Sequence, residues 1–313
     1  MAATYVESLT NPRDNLPNAY EGDAHANAVT AREVDFVTRF GMDWSALQEI
    51  LGIMNPVRKT PGTQLVSYLA SVDLEDGDVD PGEVIPYSKA TVLQYAKENI
   101  ALQKYAKAVP IEDVDKYGAA IAVQKTDEAF LNELQGVVLD DFYTFLADDT
   151  AATTETYDDF QMGVSMAIGL VRDKFKKMRK RANDVVVFVN TLDAYTYLGT
   201  ANVSIQTLFG IDYIQNFLGA KTIILSSEIE SGTIVATPSD NIVLYYIDPG
   251  DGQFEQLGLQ YTVQGETNLI GFHANGNYST AVGESFALMG MKLWAEYADG
   301  IAIVTVDANP SNG

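Results

Sequence analysis

Two histidines are the only imidazoles in this chain: His25, and His273 within Gly271-Phe-His-Ala-Asn-Gly276. Neither has a second histidine or a carboxylate at metal-ligand spacing, so each reads as a loop histidine and not as a ligand or base. Paired acids occur at Asp140-Asp141, Asp148-Asp149 and Asp158-Asp159. Neighbours in sequence point different ways on a helix, so these pairs do not converge for acid–base work and read as helix-end and surface charge. No Gly-x-Ser-x-Gly elbow and no Walker or dinucleotide glycine loop is present. The absence of cysteine excludes disulfides, thiolate nucleophiles and cysteine-ligated metals. Residues 76–83, Asp76-Gly-Asp-Val-Asp-Pro-Gly-Glu83, have the acid density of a calcium loop. They lack the glycine directly after the third acid and the glutamate at the required distance, so a solvated or partner-facing turn is the better reading. The expectation is a protein with no catalytic residue, no metal and no cofactor.

Charge is more informative than any motif. The 313 residues carry 43 acids and 20 bases, a formal net charge of -23. That balance opposes direct grip on a phosphate backbone, and suits a protein that stays soluble at high concentration or sits beside nucleic acid without adhering. The acids concentrate at Asp73, Glu75, Asp76, Asp78, Asp80 and Glu83, with no base among them. Around this stretch lie Arg58, Lys59, Lys89, Lys97, Lys104 and Lys107, with Glu98 the only acid between 89 and 107. These twelve residues are the candidate subunit-interface set, the acidic tip of one copy meeting a basic strip at the root of the next. Head-to-tail contacts of that kind build rings and lattices. A second basic run, Arg172, Lys174, Lys176, Lys177, Arg179, Lys180 and Arg181, is either a complement to a helix dipole or another contact surface.

The elements that must position these charges follow from periodicity. Residues 1–30 are polar and aperiodic and read as an arm. Phe36, Phe40, Trp44, Leu47 and Leu51 predict a short helix over 34–53, broken near Gly41. An extended run over 64–70 leads to the acidic tip, and a second run, 90–109, returns from it. The return run alternates as a strand, although Val92, Ala96 and Ile100 would also fit a helix. Phe130, Leu134, Val137, Val138, Phe142, Phe145 and Leu146 form one stripe at helical spacing, predicting a strong helix over 126–147 with Thr126 as its cap and Asp127 and Glu128 at its positive end. Residues 148–156 read as a linker. Beyond it an α/β pattern follows: a helix over 157–181, strands at 185–189, 222–226, 242–247, 260–263 and 302–306, and short helices at 192–198 and 204–208. A two-armed projection beside one dominant helix cannot cover its own faces, so another copy of the chain is the expected cover.

The N-terminus has neither a basic nor an apolar region of signal-peptide type, and no apolar run approaches the roughly 20 residues of a membrane helix, so the expected setting is solution. At this length about two domains are expected.

This order of segments, including the lead-in Lys107-Ala-Val-Pro-Ile-Glu-Asp-Val114, resembles the major capsid protein of tailed double-stranded-DNA bacteriophages over about residues 15–307. The resemblance implies an α+β fold with an N-terminal arm and short helix (1–56), an extended loop (57–90), a peripheral domain with the spine helix (91–156 and 266–313) and an axial α/β domain (157–265). It implies self-assembly into hexamers and pentamers of an icosahedral head that encloses DNA without reading its sequence. Portal, scaffolding and decoration proteins would be partners, and assembly would take place in the host cytoplasm. Some members carry a cleaved scaffolding extension, absent ahead of the polar arm here, so scaffolding would be a separate protein or the chain a processed one. The alternatives are an encapsulin, which shares the architecture but encloses proteins, and a tail-tube protein, which would lack so strong a central helix.

Overall fold

The computed structural model describes residues 22–53, 56–80, 82–147, 154–199, 204–208, 211–251, 254, 256–263 and 268–306. Most of the predicted polar arm, the 148–153 part of the predicted linker and the tail after 306 lie outside the described residues.

The first element, α1 (Gly22–Leu51), is a single helix that runs straight through Gly41. Alanines at 24, 26, 28 and 31 supply helix propensity where a polar arm was expected. A glycine inside a helix costs about 1 kcal/mol, less than the buried neighbours Phe40 and Trp44 return. The helix stops where Gly52 adopts φ 74, letting the Ile53 amide reach the Gln48 carbonyl at 2.9 Å. A short strand β1 (Val57–Lys59) precedes the hairpin of β2 (Gln64–Asp73) and β3 (Lys89–Asn99). The predicted return run is two strands, not one: β3 closes the hairpin, and β4 (Gln103–Pro110) leaves for another sheet. Next come α2 (Ile111–Tyr117), a π-helical turn (Ala120–Lys125) and the spine helix α3 (Thr126–Ala147).

Thr126 does not cap α3, because the π turn runs directly into it. Its hydroxyl instead donates back to the Ala122 carbonyl at 2.7 Å. The chain continues through β5 (Thr154–Tyr157), α4 (Phe160–Lys177), β6 (Val185–Asn190), α5 (Thr191–Leu198), β7 (Gln206–Leu208), β8 (Ile211–Gln215), β9 (Thr222–Ser226), β10 (Thr233–Pro238) and β11 (Ile242–Ile247). It ends with β12 (Ile270–Asn277), β13 (Val282–Ala295) and β14 (Ala302–Val306). Residues 206–208, predicted helical, form β7, whose pairing with β8 overrides local propensity. The strand predicted at 260–263 reduces to a single bridge, Thr262 to Phe272.

Two sheets organise the body. The larger has order β5-β14-β10-β6-β9-β8-β7, and the smaller β1-β11-β13-β12 with β4 also on β13. This partition does not follow the sequential domain boundaries. The C-terminal β14 completes the larger sheet beside β10, and β11, expected in the axial domain, pairs with β13 in the smaller one. Both exchanges arise because β-pairing is decided in space, where segments far apart in sequence meet.

The central strand β6 shows how the layers close. Val186 and Phe188 face one core with α3, where Phe142 and Tyr143 meet the Phe188 ring edge-on. Val185, Val187 and Val189 face the opposite core under α4. With both faces covered, the strand reads as a continuous apolar run. At α3, Leu134, Val138, Phe142 and Leu146 are buried as the stripe predicts. Burial of this kind contributes about 1.5–3 kcal/mol per large side chain. Packing is tight at Gly300, where an added Cβ would lie 2.5 Å from the Phe175 ring. Gly300→Ala is therefore expected to cost about 1–3 kcal/mol through overpacking, read as a drop in thermal midpoint.

Candidate functional site

The candidate residues gather on and around the hairpin of β2 and β3. Its ladder runs from Gln64 opposite Asn99 to Asp73 opposite Lys89, with an irregularity between Ser67 and Tyr68. At about 3.3 Å per residue the ten residues of β2 carry the tip roughly 30 Å from the root. The root is anchored. Leu65 and Ile100 are buried against Tyr245, Ile247 and Trp294, and Gln64 donates to Asn99 at 3.0 Å. The Tyr245 hydroxyl donates to Glu296 at 2.9 Å, and burial together with that carboxylate pushes its phenol well above the ordinary range.

Beyond the root, burial ends. Cross-strand pairing puts Tyr68, Val72 and Val92 on one face and Leu93 on the other, and all four are exposed. The connecting tip exposes Leu74 at 75%, Val84 at 86%, Ile85 at 68% and Tyr87 at 93%. An antiparallel ribbon that exposes apolar groups on both faces has no core of its own. The sequence reading singled out only the acids of this tip. The apolar set was visible as Val84, Ile85 and Tyr87 around Pro86, inside a stretch too polar overall to show a hydrophobic period.

The six acids Asp73, Glu75, Asp76, Asp78, Asp80 and Glu83 are all exposed. Asp76 receives the Asp78 amide at 3.0 Å, which tightens the turn. Among the described residues no group of three or more acids and histidines is arranged to hold a metal ion.

The six bases fare differently. Lys107 is not on a surface strip: its Nζ lies 2.5 Å from Asp127, with 2.9 Å to the Thr126 hydroxyl. Arg58 is 3.2 Å from Asp248 and 3.5 Å from Asp251, and the Lys59 ammonium sits 5.0 Å from the centre of the Tyr245 ring. Lys89 lies at the distal end of the ladder beside the acidic tip, not at its root, because the ladder pairs it with Asp73. Arg58 is exposed but paired, so Lys97 and Lys104 are the other exposed bases of the set on the root side.

The predicted site residue Lys107 thus belongs to a different construction. Asp127, 8% exposed, receives two bonds of 2.7 Å from Arg32 as well as the Lys107 ammonium. Arg32 also donates to Ser285 at 2.9 Å. One carboxylate therefore ties α1, α3, β4 and β13 together. Burial works against the charged form of Asp127, but the Arg32 and Lys107 hydrogen bonds outweigh it and hold the carboxyl below its usual range. Next to Arg32, buried Glu33 accepts the Ala274 amide and the Thr262 hydroxyl, each at 2.6 Å. His273 is a strand residue of β12, with its Nδ1 3.4 Å from Glu33. The sequence showed no carboxylate near this histidine because the two lie 240 positions apart. His25 falls within α1.

No protein-family model and no curated protein sequence matches the chain. The fold does have relatives. A virus-like particle from Pyrococcus furiosus superposes with TM-score 0.51 at 10% identity, over 87% of this chain and 99% of the other. The SrpI encapsulin complex from Synechococcus elongatus gives TM-score 0.50 at 12% identity, over 85% and 90%. The mature capsid of bacteriophage PhiM1 gives TM-score 0.49 at 9% identity, over 82% and 86%. At these identities what is shared is the fold alone: an α+β architecture like that of the virus-like particle and the encapsulin. Among the described residues no helix is long and apolar enough to cross a membrane.

Proposed function

We propose that this chain is the major capsid protein of a tailed bacteriophage, assembling in the host cytoplasm into hexamers and pentamers of an icosahedral head around double-stranded DNA. One observation carries the reading: a rooted, roughly 30 Å hairpin exposes Tyr68, Val72, Leu74, Val84, Ile85, Tyr87, Val92 and Leu93 on a fold otherwise found in shells. Covering those eight side chains offers on the order of 10 kcal/mol, comparable with an association cost of about 4–15 kcal/mol. Neighbouring copies are the occupant present at the required concentration. Portal, scaffolding and decoration proteins complete the partner set, and the role is structural, not catalytic.

The encapsulin reading is favoured by the second superposition, to a shell that is itself an encapsulin. The tail-tube reading is disfavoured by the 22-residue helix α3 at the centre of the core. Negative-stain micrographs of the purified protein test the proposal directly. Closed shells are expected; tubes or a persistent compact monomer at high concentration reject it. Nucleic acid inside shells made in an infected host supports the phage assignment, and packaged enzyme supports the encapsulin. Assembly followed by light scattering is also expected to slow as salt rises from 0.1 to 1 M, since screening shortens from about 10 Å to about 3 Å. Rates unchanged across that range would remove charge from the account.

A further inference from the structure

The acidic tip and the basic run that closes α4 and follows it are two clusters dominated by one sign of charge, and neither is used up within the protomer. All six tip acids are exposed, so the tip does not lie on its own basic surface. The strip first expected to receive it is largely spent: Arg58, Lys59 and Lys107 are engaged at home, and Lys89 belongs to the tip end.

The end of α4 is different. Its last turn holds Lys174, Lys176 and Lys177, already more than the half-charge of a helix C-terminus requires. Arg172 lies one turn earlier and Arg179, Lys180 and Arg181 follow. Two of these chains are committed inward: Lys174 donates to the Ile301 carbonyl at 2.8 Å, and Lys180 packs 3.4 Å over the Tyr297 ring. The local acids are also engaged, Asp173 by Lys177 at 2.6 Å and Asp184 by Lys221 at 3.0 Å. Lys177 is exposed but paired with Asp173, which leaves Arg172, Lys176, Arg179 and Arg181 as the other exposed bases of the run. Arg172 donates to Gly219 and borders a polar cleft of about 210 Å³ shared with Asn183, Asn216 and Lys221. Arg179 takes φ 55, which turns the chain so that the Lys180 and Arg181 side chains leave the helix axis.

We propose that the acidic hairpin tip of one copy docks on the Arg172–Lys176–Arg179–Arg181 surface of another, making this the charge contact that sets register between neighbouring subunits. The inference rests on the shell reading above and names the partner surface for its hairpin. Paired charges repeated around every ring act on encounter rate and register more than on the strength of one contact, and the apolar residues of the same tip then exclude water from it.

A charge swap tests it. One variant carries Asp76→Lys, Asp78→Lys and Asp80→Lys, a second Lys176→Glu, Arg179→Glu and Arg181→Glu, and a third both sets. A fourth, with Lys176→Gln, Arg179→Gln and Arg181→Gln, avoids placing acids at a helix C-terminus. Circular dichroism checks the fold of each, and shell yield is read by sedimentation in 50 mM salt. Each reversal alone is expected to lower yield at least tenfold, the glutamine set less, and the double reversal to recover to within about threefold of wild type. Wild-type shells with a patch reversal that changes nothing, or a double variant no better than either parent, would overturn the docking and leave the shell reading intact. A patch reversal that lowers only co-purified nucleic acid, with shell yield unchanged, would assign the surface to nucleic acid and equally overturn it. No shells from the wild type would bring down the shell reading itself, and the docking with it.

Discussion

Cutting the hairpin at its root is expected to give a folded protein that no longer assembles. The cut falls between Leu65 and Glu98, which stand opposite each other, so an Asn-Gly turn can replace residues 66–97 without disturbing the ladder below. Leu65 and Ile100 stay in their cluster with Trp294, and neither large sheet loses a strand. The removed residues contribute little to the body, since most of their side chains are exposed, so the thermal midpoint should stay within about 5 °C of wild type. Assembly is the quantity that should change. The association loses on the order of 10 kcal/mol of apolar cover per subunit, enough to remove shells at micromolar concentration. Sedimentation velocity reads both halves of the result. A shortened protein that still sediments as shells would show that the hairpin is ornament; one that unfolds would show that it stabilises the body.

Asp127→Ala is expected to be the most damaging single substitution outside the apolar core. It strands Arg32 and Lys107 beside each other, with side chains only 28% and 13% exposed and no carboxylate between them. Removing one partner from a buried ion pair typically costs about 3–5 kcal/mol, because the remaining charge has lost its water as well as its counter-ion. That is about a fifth or more of the stability of an ordinary domain. Four elements meet at this carboxylate, so partial unfolding should begin between α1 and β13.

The same residue sets an acid limit. Its folded-state pKa is depressed below the unfolded value, so the pair contributes fully above about pH 4 and is lost as pH falls through the lower, folded value. Urea melts of wild type should therefore weaken below about pH 4, with Asp127→Ala less stable at neutral pH but flatter over that acid range. A substitution that leaves the melt at pH 7 unchanged would show that the cluster is geometric coincidence.

Much of this molecule was legible in one dimension, and the failures have causes. The spine helix was readable because one face is buried and the other wet, which writes a 3.6-residue period. Strands β9, β11 and β14 were readable as short apolar runs. The 30-residue α1 was read too short because its first turns carry no apolar period. The long strand β13 was missed because its partner changes from β4 to β11 near Gly290, and no alternating pattern survives a change of environment within one strand. Of the candidate interface residues, the acids lie exposed at the hairpin tip. Lys107 and Arg58 are paired within the protomer, and a base that will find Asp127 or Asp248 looks the same in sequence as one that faces solvent.

The order of amino acids by itself determined the spine helix and several short apolar strands, the lack of cysteine chemistry, the surplus of acid and the existence of a projection without a core of its own. Those depend on local periodicity and composition, which act over a few residues. Folding in three dimensions decided which charges are already neutralised, which strands share a sheet, and that the tip presents bulky apolar groups along with its acids. Such facts depend on residues such as Arg32 with Asp127, or Glu33 with Ala274, whose separation along the chain carries no local signature.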